Sequence, residues 1–104
     1  MATLVPPDTQ QKLMAIWERN RPQVIERLAL LERAAAAQPL PEQLRLEAIA
    51  IAHKLAGSLG MFGFAEGTRL ARSIEYHLEA VNPNSAALAS LAAELRQSLF
   101  PTAS

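Results

Sequence analysis

The chain has 104 residues, half of them hydrophobic, with no cysteine and with ten basic residues balanced by ten acidic ones. That length allows one core but not two; the charge balance provides no global field for nucleic acid or an anionic membrane, and the missing thiol excludes disulfides, thiol catalysis and Cys-based zinc sites. No apolar run approaches the roughly 20 residues of a membrane span, and MATLVPPDTQ lacks the basic end and long apolar core of a signal peptide. The expectation is a cytoplasmic single domain over residues 1–104.

Five helices are expected, over about residues 8–20, 22–38, 41–60, 64–81 and 84–99. Asp8 followed by Gln11 reads as a capping box, with Leu13, Ile16 and Trp17 forming a short apolar face behind it. Pro22 suits the first turn of a second helix, although the first helix could run almost continuously into it. Val24, Leu28, Leu31 and Ala35 then recur at helical spacing. Pro41 and Glu42 open the third helix, and Gly60 and Gly63 punctuate its end. On the fourth, Leu70, Ile74 and Val81 are expected inward and Arg69, Arg72, Glu75 and Glu79 mostly outward. Asn82-Pro83-Asn84 makes a turn, after which Leu88, Leu91, Leu95 and Leu99 mark the last helix. Few aromatics, few glycines and abundant Ala and Leu favour helix throughout. The fold class expected is all-α, an antiparallel four-helix bundle with an additional short N-terminal helix.

Residues 40–64 hold the unusual feature. At about 100° per residue, Leu44, Ala48, Ile51, Leu55 and Leu59 fall in one stripe, expected to face the core. His53 lies roughly 180° from Leu44, so the imidazole should face solvent. Around it come Leu46, Ile49, Ala50, Ala56, Gly57 and Gly60, none charged. A soluble helix ordinarily covers its outer face with charge; small and apolar residues around a lone histidine describe a docking surface with a reactive centre. Gly57, one turn beyond His53, would open access to the ring at a helical cost of about 1 kcal/mol relative to Ala.

His53-Lys54-Leu55-Ala56-Gly57, with Gly63 ten positions after the histidine, resembles the signature of histidine phosphotransfer (HPt) domains, the helical modules of two-component phosphorelays. The turn Gly60-Met61-Phe62-Gly63-Phe64 is similar to that of chemotaxis-type histidine kinase phosphotransfer domains. The resemblance implies that His53 is a phosphoacceptor and that the domain is a phosphocarrier, not an enzyme. It implies as partners a receiver domain of a response regulator, a histidine kinase, or both. No cofactor would be bound here, with Mg²⁺ supplied on the partner. Glu75 matches a family position from which a carboxylate can accept a hydrogen bond from the active imidazole, or it is a solvated charge. The family usually has Lys three residues after the histidine, where this chain has Ala56; Lys54, or Arg72 from the next helix, are the candidates to replace that charge.

Two other functions fit the same patch: a non-phosphorylated adapter that binds a receiver or a helical partner, and a structural dimerisation bundle. A monomer without nucleic-acid or membrane partners is the expected state. His77, in phase with Leu70 and Ile74, reads as a boundary histidine, and no metal site is expected because the two histidines belong to no ligand cluster. Phe62 and Phe64 are expected as core plugs, with Trp17 covering one end of the bundle.

Overall fold

The computed structural model describes residues 7–101. They form four helices and, among the described residues, no strand: α1 (Pro7–Ala36), α2 (Glu42–Met61), α3 (Ala65–Leu78) and α4 (Ser85–Leu99). Each packs on two neighbours, in the ring α1–α2–α3–α4–α1, which defines a four-helix bundle.

The expected separate N-terminal helix does not exist; residues 8–20 and 22–38 are one helix that ends at Ala36. Asp8 accordingly stands within the first turn and not ahead of it as a cap. Pro22 removes one backbone donor, at a cost of about 3 kcal/mol in a helix interior. Burial on both sides offsets it: Trp17 before the proline, and Val24, Leu28, Leu31, Ala34 and Ala35 after it, are all buried. Asn20 adds a side-chain bond from Nδ2 to the carbonyl of Ile16 at 2.8 Å. A helix of 30 residues is about 45 Å long, which accounts for the 47 Å long axis of the molecule.

The core is aliphatic, with Leu28, Leu55, Leu59, Leu70, Ile74, Leu78 and Leu95 fully buried. One end is closed by aromatic rings. Trp17 meets Phe62 at 5.5 Å, Phe64 at 4.7 Å and Phe100 at 5.9 Å between centroids, joining α1 to the α2–α3 turn and to the end of α4. Gly63 allows that turn, because its φ of 83° is a conformation side chains disfavour. Gly67 allows the close packing behind it. A Cβ there would stand 3.1 Å from Leu59 Cδ1 and 3.2 Å from Leu99 Cδ2.

α3 stops at Leu78, so Val81, expected inward, is 96% exposed. Leu78 takes the inward position, one turn after Ile74, and its carbonyl accepts a bond from Arg45 Nη1 at 2.9 Å, satisfying one of the helix's unpaired terminal oxygens. α4 begins as the sequence implies, with the Asn84 side chain accepting from the Ala87 amide at 3.0 Å. Glu32 on α1 and Arg96 on α4 pair across the bundle through two bonds of 2.7 and 2.8 Å.

Candidate functional site

On α2 the buried stripe is Ala48, Ala52, Leu55, Ala56 and Leu59. The expected stripe is therefore rotated: Leu44 and Ile51 are only half-buried, and Ala52 is fully buried. The cause is α3, which packs closely against the flank carrying Ala52 and Ala56. Thr68 Oγ1 donates to the Ala56 carbonyl at 3.2 Å across this seam. Ala56, expected on the outer rim beside His53, is instead 4% exposed and belongs to the seam.

His53 is on the outer side of the same seam. Its side chain is 76% exposed, and Nδ1 lies 3.2 Å from Oε2 of Glu75, a residue of α3 whose side chain is 21% exposed. The α2–α3 packing thus brings together two residues that the sequence separates by 22 positions. An ionised carboxylate can only accept a hydrogen bond, so in the neutral form of the ring this pair favours the tautomer with the proton on Nδ1 and the lone pair on Nε2.

The rest of the expected surface divides. Leu46 is 50% exposed; Ala50, Gly57 and Gly60 are exposed and Ile49 is half-buried. A Cβ built on Gly57 meets nothing within 4 Å, so the space one turn from His53 is open. Gly60 adjoins Thr68, whose Oγ1 would be 3.5 Å from an added Cβ. Lys54 and Arg72 are both exposed. His77 is half-buried at the end of α3, with its ring 5.7 Å from that of Tyr76.

Sequence reasoning did not single out Met61 or Tyr76, which are 66% and 74% exposed. Met61 lies two turns beyond His53, at the same i, i+4, i+8 spacing as Gly57, and could have been found from it. Tyr76 had no such signal. The Thr68 bond was equally hidden.

Two clefts lie elsewhere on the described residues. One of about 530 Å³ is lined by Leu13, Met14, Trp17 and the phenylalanines of the turn, and one of about 550 Å³ lies between the loops at the opposite end. His53 lines neither. Its surroundings are an open helix face, which a small substrate could not fill but a macromolecular partner could cover.

The site is thus an exposed histidine paired with a carboxylate on the outer side of a four-helix bundle. The chain belongs to the Hpt domain family, whose model matches residues 15–99. It is 37% identical to Protein RcaC of Microchaete diplosiphon over 72% of its own length, and spans 13% of that protein. No solved structure matches it significantly. No helix among the described residues is long and apolar enough to cross a membrane.

Proposed function

We propose that this Hpt domain takes a phosphoryl group on Nε2 of His53 and exchanges it with the aspartate of a receiver domain or receives it from a histidine kinase. The observation that carries the reading is the His53–Glu75 pair, with Nδ1 held at 3.2 Å and the ring otherwise open to solvent.

In the exchange the Nε2 lone pair attacks the phosphorus of an aspartyl phosphate. The N–P bond forms as the O–P bond breaks, and the carboxylate leaves with the bonding electrons. The proton stays on Nδ1, so the ring becomes cationic, and the Glu75 carboxylate faces that developing charge. Return of the group to another aspartate reverses each of these changes. A rigid helix holds the nucleophile at one place for either partner.

In-line transfer depends on positioning and on charge stabilisation, and this chain offers the first. We assign Mg²⁺ and the remaining charge stabilisation on the donor side to the partner, so that the domain acts as a carrier and not as an enzyme in its own right. Leu46, Ile49, Ala50, Gly57 and Gly60 form the apolar ground on which the partner docks, and Ala56 is withdrawn from that set. We take the domain to act as a cytoplasmic monomer that leaves this face free for its partner.

The test is incubation with a phosphorylated receiver or a kinase, followed by intact-mass measurement at neutral pH, with His53→Gln alongside. A single acid-labile phosphoryl group that is absent from the variant is expected. Binding without phosphoryl gain across a panel of partners would sink the carrier reading and favour an adapter.

A further inference from the structure

A phosphoryl group on His53 would bring a charge of roughly −2 to an exposed ring, and the fold limits which cation can meet it. α2 contributes none on the seam flank, where Ala56 is 4% exposed. Lys54 follows His53 immediately, and one residue is a turn of about 100° around the helix. His53 inclines toward α3, so Lys54 inclines away from it.

Arg72 is on the other wall of the seam. It precedes Glu75 by three residues, which makes the two neighbours on one flank of α3. It also lies between Glu75, which touches His53, and Thr68, which bonds to the Ala56 carbonyl. The helices run antiparallel there, so a step from Glu75 to Arg72 on α3 matches the step from His53 toward Gly57 on α2. Gly57 leaves that space empty, since an added Cβ would meet nothing within 4 Å.

Arg72 is also uncommitted. Arg69, about one helical turn away on α3, is paired with Glu66, Arg45 with Glu42 and Arg96 with Glu32. Among the described residues Arg72 is exposed and makes no ion pair or hydrogen bond. A guanidinium with five donors in a planar fork suits two phosphoryl oxygens at once.

We infer that Arg72 is the phosphoryl-binding residue of the site: its guanidinium crosses the seam over Gly57 and holds the oxygens of the group on His53, a role Lys54 does not share. The inference rests on the phosphoacceptor reading of His53. It adds a residue that acts on the group itself and not on the partner.

A donor without a protein surface separates the two. Phosphoramidate transfers its phosphoryl group to imidazole nitrogen, with the new N–P bond formed at Nε2 as the donor's own P–N bond breaks and ammonia leaves with the electron pair. Uptake is followed by intact mass for the wild type, Arg72→Ala, Arg72→Lys, Lys54→Ala and His53→Gln, with helicity checked by circular dichroism. Arg72→Ala is expected to take up the group about fivefold more slowly, Arg72→Lys to recover part of the loss, and Lys54→Ala to match the wild type. The advantage of the wild type should shrink in about 1 M salt, where the screening length falls to about 3 Å. Wild-type uptake by Arg72→Ala, or a loss in Lys54→Ala in its place, would overturn Arg72's role while leaving His53 as acceptor. Equal uptake by wild type and His53→Gln would overturn the acceptor reading and Arg72's role with it.

Discussion

His53 on α2 and Glu75 on α3 meet with 3.2 Å between Nδ1 and Oε2, the histidine side chain 76% exposed and the carboxylate 21% exposed. The fold therefore fixes the acceptor of the hydrogen bond and leaves the opposite edge of the ring to solvent. Glu75→Ala should keep the fold, since the residue lies at the seam's outer edge, and should slow phosphoryl uptake by His53. A hydrogen bond to a charged group at a partly exposed position contributes about 1 kcal/mol, equivalent to about a fivefold loss in rate. Single-turnover uptake from a phosphorylated receiver, compared with the wild type, measures it; an unchanged rate would remove Glu75 from the mechanism.

Gly57 offers a separation of stability from docking. Because its neighbourhood is empty, Gly57→Leu should fold and gain up to about 1 kcal/mol in helix propensity. Transfer from a receiver should nevertheless be lost, because the new side chain occupies the approach to His53. Urea melts and transfer assays on the same sample check both halves, and a stable variant that transfers normally would defeat the steric reading.

Gly67 should behave in the opposite way. Its Cβ position is already 3.1 Å from Leu59 Cδ1 and 3.2 Å from Leu99 Cδ2, so Gly67→Leu forces α3 away from α2 and α4. Overpacking of this kind costs about 1–3 kcal/mol, visible as a lower thermal midpoint. Retention of the wild-type midpoint would show that the interface yields more readily than its distances imply.

The Glu32–Arg96 pair links stability to pH. The Arg96 side-chain hydrogen bond holds the Glu32 carboxyl below its ordinary value of 4.5, against a smaller opposing effect of burial. A carboxyl whose folded pKa is depressed binds its proton more readily in the unfolded chain, so its stabilisation is complete above pH 4.5 and lost as pH falls through the folded value. With side chains 39% and 37% exposed, solvent screening limits the contribution to under about 1 kcal/mol. Glu32→Gln should be less stable by up to that amount at neutral pH, with the difference closing as pH falls below 4.5 through the depressed folded value. Urea melts at neutral and at acid pH give the answer, and a gap that persists in acid would rule out the ionised pair as its source.

Much of this protein was legible in local pattern. The leucine stripes, the Asn82-Pro83-Asn84 turn and the outward setting of His53 all follow from the roughly 100° helical repeat and the chemistry of helix ends, and they required no knowledge of neighbours. The gathering of Trp17, Phe62 and Phe64 at one end of the bundle was legible for a related reason, since large rings beside a glycine turn have few other places to go, although the two phenylalanines are half-buried against the core and do not plug it.

What depended on neighbours was decided only in the tertiary structure. Periodicity locates an apolar stripe but not the side on which the next helix leans, and α3's lean buried Ala56 and Ala52 while leaving Ile51 half-exposed. Pro22 read as a boundary, yet α1 continues through it because contacts before and after the proline lie on one bundle. The pairing of Glu32 with Arg96, 64 residues apart, leaves no trace in spacing, and that of His53 with Glu75 was open to the family resemblance but not to periodicity, since the side chains come within hydrogen-bond reach only after the helices have packed.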